Sequence, residues 1–281
     1  MRGFVVYKKG PHLGVEVNGD VYLSIPKSKL RGNVFVGDFV EGEVIDDQHF
    51  RIDDVVDRKN LLPRPRVANV DKVLVVFSFK KPDLDPLHLD GILAVLEKED
   101  IEPLIVLNKK DLVGEDEAKH WVDIYTGAGY DVITSSTITG EGLEGIRAKI
   151  KGQLTVLAGP SGSGKTSIIN SFMPDLKLKV QEVGRYGKGR HTTTDITLVK
   201  NPDGGYICDT PGFAKFYIEE FVDYHELPRL YREFKRFTCK FSDCTHTGEP
   251  GCGVVGNIHP ERYKTYMILL NRLKNVPRKR K

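Results

Sequence analysis

Between Gly159 and Thr166 the chain reads Gly-Pro-Ser-Gly-Ser-Gly-Lys-Thr, the G-x-x-x-x-G-K-[ST] spacing of a phosphate-binding loop. The residue types answer to the chemistry. Gly159, Gly162 and Gly164, with Pro160, Ser161 and Ser163 between them, let backbone N–H groups curl round phosphate oxygens. The helix N-terminus that follows adds a favourable field for an anion. Lys165 can reach the β- and γ-phosphates and the Thr166 hydroxyl can hold Mg²⁺, with Ser167 completing the nucleotide-binding set at this end.

A second constellation lies upstream. Asn108-Lys109-Lys110-Asp111 is N-K-x-D, at the carboxyl end of an apolar run where α/β sheets bind ligands. The Asp111 carboxylate can accept two hydrogen bonds from guanine N1–H and its amino group, which adenine does not offer. Asn108 can meet the opposite edge of the base, and the Lys109 stem can cover its face. Ser135 and Ser136, followed by Gly140-Glu141-Gly142, form a loop that could close over the base. Downstream, the Gly- and Arg/Lys-rich stretch Gly184–Asp195 contains three consecutive threonines, one of which could reach Mg²⁺ and the γ-phosphate. Asp209-Thr-Pro-Gly212 is D-x-x-G: Asp209 can address Mg²⁺ through water, and the Gly212 N–H can sense the γ-phosphate.

A third constellation is Cys239-x4-Cys244-x-His246-x5-Cys252. Three thiolates and an imidazole can close a tetrahedral Zn²⁺ site with no position open for catalysis, a structural zinc. His259 is the reserve ligand should His246 point away. Cys208, alone in the apolar run Tyr-Ile-Cys, reads as a core residue.

These residues need elements to hold them. Residues 2 to about 58 offer five short strand candidates separated by Gly, Asp or Asn turns, which suggests a small OB-like barrel. With 11 Lys/Arg against 10 Asp/Glu up to Arg66, charge does not decide between a nucleic-acid-binding barrel and a structural or docking one. Leu61–Pro65 reads as a linker, because its prolines interrupt strand and helix alike. Strands are expected at 70–79, 103–107, 130–134 and 154–157, and a hairpin from Ile196–Val199 and Tyr206–Cys208. Helices are expected at 86–99 and 117–127, after the phosphate loop, and at 260–274 with Tyr263, Met267 and Leu270 on one side. The expected fold is multidomain: an all-β barrel over 1–62, an α/β phosphate-loop domain over 63–222, and a mostly α, zinc-binding module over 223–281.

Composition fits a soluble protein with a sizeable core, at 281 residues, 40% hydrophobic and 29% charged. The net charge of +3 is uneven: from Arg229 onward 13 Lys/Arg face 4 Asp/Glu, a balance of +9, which leaves −6 elsewhere. A basic module on an acidic body suits a polyanionic partner. No apolar run approaches the roughly 20 residues that cross a bilayer, and the first residues lack a signal-peptide core, so a cytoplasmic protein is expected.

Together the motifs are the parts of a GTPase, but N-K-x-D and the base loop precede the phosphate loop, the Thr-rich stretch and D-x-x-G. This is a circular permutation. Nucleotide kinases and transport ATPases share the phosphate loop, yet they lack N-K-x-D, and no Leu-Ser-Gly-Gly-Gln signature follows here. The permuted order, the N-terminal barrel and the run FTCKFSDCTHTGEPGC before a basic helix resemble the circularly permuted bacterial GTPases that depend on the small ribosomal subunit and act in its late assembly. The resemblance covers nearly the whole chain. It implies GTP hydrolysis with Mg²⁺, one structural Zn²⁺, and binding to the small subunit and its rRNA as a monomer. Thr193 best matches the Mg²⁺-binding threonine, although three threonines in a row leave the register open. Phe213 stands where many GTPases carry a water-orienting glutamine, and phenylalanine cannot polarise water. His191 is the family's candidate for that role, brought in when the subunit orders the switch. The alternative is a nucleotide-gated RNA clamp whose turnover is incidental.

Overall fold

The computed structural model describes residues 1–173, 195–208 and 217–276. In chain order, β1 (Arg2–Lys9), β2 (His12–Val17), β3 (Asp20–Pro26), β4 (Phe39–Val44) and β5 (His49–Val55) are the five expected strands. A short pair follows, β6 (Leu61–Pro63) and β7 (Arg66–Ala68). Then come β8 (Lys72–Ser78), α1 (Pro86–Lys98), β9 (Glu102–Asn108), α2 (Glu115–Gly127), β10 (Asp131–Thr134) and α3 (Leu143–Ile150). The phosphate-loop region supplies β11 (Gln153–Ala158), α4 (Lys165–Phe172), β12 (Ile196–Lys200) and β13 (Gly205–Cys208), and α5 (Pro260–Lys274) is the last helix described.

By internal contacts the chain divides into two compact units. The first comprises the described residues of Met1–Leu74, Glu144–Ala158 and Lys165–Ala214. Its barrel closes because β1–β2–β3 form a meander, β3 pairs in parallel with β5, and β4 pairs with both β5 and β1. The period-2 alternation of β2 and β4 turns Leu13, Val15, Val17 and Val40 inward onto Val5, Phe50 and Ile52, all buried. In the same unit β11 pairs in parallel with β13, β13 is antiparallel to β12, and β12 is antiparallel to β1. The expected hairpin from 196 to 208 is therefore present.

The linker expectation fails. Leu61–Pro63 and Arg66–Ala68 form a two-stranded antiparallel ladder, with Leu62 and Val67 fully buried. Pro63 ends its strand and Pro65 sits in the turn, two places where a missing N–H interrupts no ladder.

The second unit comprises the described residues of Val75–Leu143, Gly159–Gly164 and Lys215–Lys281. Here β8, β9 and β10 lie side by side, β9 and β10 in parallel with Thr134 opposite Leu107. Asp85 caps α1, accepting from the His88 N–H at 3.1 Å, and Pro86 occupies the first turn where no N–H is needed. Leu89, Ile92, Leu93 and Leu96, the expected apolar face of α1, are all buried. Helix α5 begins and ends as expected, but its buried stripe is Arg262, Thr265, Tyr266, Leu269, Leu270 and Leu273, with Tyr263 and Met267 half-buried at its edge. The stripe runs through Arg262 because two carboxylates neutralise the guanidinium inside the core, so charge did not mark the outer face.

Candidate nucleotide site and zinc centre

The strand register brings the base motif together. With Thr134 opposite Leu107, Ser135 lies next to Asn108 at the carboxyl ends of neighbouring strands. The Ser135 hydroxyl donates to Asn108 Oδ1 at 3.1 Å, and the Lys110 N–H donates to the Ser135 carbonyl at 3.0 Å. One step further, the buried Ser136 hydroxyl donates to Asp111 Oδ1 at 2.5 Å while accepting from the N–H groups of Ile138 and Thr139 at 3.2 Å each. One serine thus folds the loop over 136–140 and aims the Asp111 carboxylate. Lys110 holds the loop from the other side, through Glu115 at 2.6 Å and Glu141 at 3.3 Å, and those two carboxylates raise its pKa, Glu115 most.

The phosphate loop is tied to this motif. Asn108 Nδ2 donates to the Ser163 carbonyl at 2.9 Å, and Lys109 Nζ donates to the Gly162 carbonyl at 2.7 Å and to that of Lys81. Asn108 is buried, so both ends of its amide are used as a strut between motifs. Two loop glycines are required by this packing. Gly159 has φ +125° and a Cβ there would stand 2.0 Å from the Val76 carbonyl oxygen, while Gly164 has φ +99° and a Cβ there would stand 2.1 Å from Asn108 Nδ2. No side chain fits either place. Ser163 is buried, with Ser161 and Gly162 exposed beside it. Lys165, Thr166 and Ser167 form the first turn of α4, the helix N-terminus that suits an anion. Glycine backbone, an ammonium and a hydroxyl suit a magnesium nucleotide polyphosphate. His191, Thr193, Asp209, Gly212 and Phe213 lie outside the described residues.

The second centre is metal-binding in its dimensions. One ligand atom from each of Cys239, Cys244, His246 and Cys252 lies within 4.8 Å of every other. Cys239 Sγ and Cys252 Sγ are each 3.5 Å from His246 Nδ1 and 3.9 Å from one another. Zinc bonds of about 2.3 Å to sulfur and about 2.0 Å to nitrogen give tetrahedral edges of about 3.8 and 3.5 Å. The four residues fit zinc. His259 is not among them; it caps α5, its Nδ1 accepting from the Glu261 N–H at 3.3 Å. Neighbours fix the ligands: the Tyr263 hydroxyl donates to the His246 carbonyl at 2.9 Å, and the His246 ring meets Phe234 edge-on with centroids 5.0 Å apart. Glu249 accepts from the Thr245 and Thr247 N–H groups at 2.8 and 2.7 Å, pinning the turn that carries His246. Burial by itself would raise the Glu249 pKa, but these donors and the Thr245 hydroxyl outweigh it and bring it down to about 2.

Comparison with known proteins agrees with this geometry. A sequence model of the RsgA GTPase family matches residues 55–219. The chain belongs to the RsgA GTPase family. It is 40% identical to the small ribosomal subunit biogenesis GTPase RsgA of Thermotoga maritima over 261 residues, 87% of this chain and 88% of that protein. It is 36% identical to the protein of the same name from Caldanaerobacter subterraneus subsp. tengcongensis, over 87% and 85% of the two chains. Among solved structures it resembles YjeQ from Thermotoga maritima, with a TM-score of 0.85, 35% identity and 98% and 99% coverage. It also resembles YloQ, described as a circularly permuted GTPase, with a TM-score of 0.79, 28% identity and 99% and 96% coverage.

As a member of the RsgA family the chain is a GTP hydrolase that uses GTP, GDP and Mg²⁺, and its Cys₃His cluster is a structural zinc site. No described helix is long and apolar enough to cross a membrane. One group of residues escaped sequence reasoning. Arg262, 2% exposed, donates through Nε to Glu233 Oε1 at 2.7 Å and through a terminal nitrogen to Asp90, which also accepts from Tyr125 at 3.2 Å and from Thr265. The signal was present: Asp90 is a charged residue inside the apolar run of α1.

Proposed function

We propose that this chain is a GTPase stimulated by the small ribosomal subunit, that it acts in late maturation of that subunit and binds its rRNA, and that it does so as a cytoplasmic monomer. The relatives' shared name supports the biogenesis role. The observation that carries the reading is the bond from Asn108 to the Ser163 carbonyl, which supports one shared site for N-K-x-D and the phosphate loop despite their inverted order. In this site Asp111 reads guanine, with Asn108, Lys109, Ser135 and Ser136 supporting it. Residues 159–167 hold the phosphates. Thr166 and Thr193 coordinate Mg²⁺, while Asp209 and Gly212 attend the γ-phosphate. His191 orients water in place of the absent glutamine. The working division is a barrel over 1–62, a permuted GTPase domain over 63–222 and a zinc module over 223–281, whose +9 charge from Arg229 onward is the rRNA-binding surface.

GTP turnover with and without small subunits tests the reading. Subunits should raise the rate strongly, and His191→Ala should lose the stimulated rate while keeping GTP binding and subunit association. Absence of stimulation in the unmodified protein would leave the clamp with incidental turnover as the better account.

A further inference from the structure

The barrel does more than precede the GTPase core: its first strand continues the core's sheet. β1 covers the outer edge of β12, with Tyr7 opposite Thr197 and Lys8 opposite Ile196. At that end the Gly10 N–H also donates to Asp195 Oδ1 at 3.3 Å. At the opposite end, Glu16 of β2 grips both strands of the hairpin. Its Oε1 pairs with Lys200 Nζ at 2.7 Å, and its Oε2 accepts from the Tyr206 hydroxyl at 3.2 Å. The Glu16 side chain is only 14% exposed. Burial and the Glu16 carboxylate push the Tyr206 pKa up to about 12, so the phenol stays a donor. The Tyr206 ring packs on Phe4 of β1, with centroids 5.1 Å apart. The hairpin is stapled to the barrel at both ends. In sequence, β12 begins two residues after Thr194 and β13 ends one residue before Asp209.

We propose that Glu16 is a positioning residue for GTP hydrolysis, through which the barrel grips the β12–β13 hairpin and couples its own state to that of the nucleotide. The proposal rests on the reading that Thr193 and D-x-x-G serve the γ-phosphate. An uncovered edge strand is an open port for pairing. Here the barrel fills that port from within the chain, so a load on the barrel is passed through paired backbone to β12 and β13, the strands that border the two γ-phosphate motifs in sequence.

Amide hydrogen exchange on the full chain, loaded with GDP or with a non-hydrolysable GTP analogue, is the test. The nucleotide should change exchange in β1 and in residues 10–17, and Glu16→Ala should abolish that difference. Glu16→Gln, which can still accept from Tyr206, should retain most of it. In subunit-stimulated turnover, Glu16→Ala should lower kcat by about five- to tenfold with KM for GTP unchanged, the size of an ordinary coupling between sites. Tyr206→Phe, which keeps the ring packing, should show the same direction if Glu16→Ala fails to fold. Identical barrel exchange in the two nucleotide states would overturn the coupling. A Glu16→Ala protein indistinguishable from the unmodified one would overturn the role of Glu16. Should subunits fail to stimulate the unmodified protein, the ribosomal reading falls, while the exchange experiment still decides this one.

Discussion

Asn108 and Ser163 are 55 residues apart in the chain, and the side-chain amide of the first donates a 2.9 Å hydrogen bond to the backbone carbonyl of the second. Through that bond the end of β9 is tied to the 159–164 loop, joining the two motifs to which we assign nucleotide recognition. The geometry also explains Gly164, whose missing Cβ leaves the space that Asn108 Nδ2 occupies.

Gly164→Ala should therefore damage two things at once. The left-handed backbone would cost about 1–3 kcal/mol, and the new methyl would push Asn108 out of its bond. GTP affinity is expected to fall by at least about tenfold, with a lower thermal midpoint in the absence of nucleotide. Calorimetric titration with GTP and a melting curve check both, and an alanine variant with unchanged affinity would contradict the packing described.

Asp111 is aimed by Ser136 at 2.5 Å. Asp111→Asn should weaken GTP binding and shift preference toward xanthosine triphosphate, which presents a carbonyl where guanine has its amino group. Ser136→Ala should weaken GTP by a smaller amount, at most the about 1.5–3 kcal/mol of one lost hydrogen bond to a charged acceptor. Competition between the two nucleotides on each variant measures the shift; equal GTP affinity in Asp111→Asn would remove the carboxylate from base reading.

One zinc per chain is expected in protein purified without added metal, by elemental analysis. His246→Ala should lose it and His259→Ala should keep it, because His259 Nδ1 is engaged at the cap of α5. Chelation should unfold the 239–252 region preferentially, since the folding free energy of such a loop is mostly the metal's. Zinc retained in His246→Ala and lost in His259→Ala would reverse the ligand assignment.

The buried Arg262 makes a different prediction. Arg262→Met leaves Asp90 and Glu233 without their cation and should cost about 3–5 kcal/mol in denaturant unfolding. The cost should also depend on pH. Burial raises the Asp90 pKa above the ordinary carboxylate range, with Arg262 the main opposing influence. A carboxyl with a raised folded-state pKa stabilises most below its unfolded value, and that contribution is lost as pH rises through the folded value. Removing Arg262 raises the Asp90 pKa further, so as pH rises above the ordinary carboxylate range the variant should go on losing stability to higher pH than the unmodified protein does. Parallel pH profiles for the two proteins would show that Asp90 is not the responsive group.

The motifs to which we assign the chemistry stand out without coordinates because their spacing is local. G-x-x-x-x-G-K-[ST], N-K-x-D and the Cys₃His run each lie within one turn, one loop or one short segment, where chain geometry alone sets the distances. The five barrel strands and α1 were legible for the same reason, since period-2 and period-3.6 patterns report burial of a face. Long-range pairing was not. Nothing in Leu61–Pro65 announces that Leu62 and Val67 will be buried opposite one another, because prolines are judged by the hydrogen bonds they forgo and those depend on the partner strand. The Tyr263–Met267–Leu270 face gave way to one through Arg262 because a guanidinium can be buried once Asp90, 172 residues away in sequence, and Glu233 supply its counter-charge. The grip of Glu16 on Lys200 and Tyr206 is of the same kind. Local spacing determined which groups could react; only the tertiary structure decided which distant charges and strand edges would meet, since burial changes the energy of an ion or an unpaired N–H by more than any local preference can.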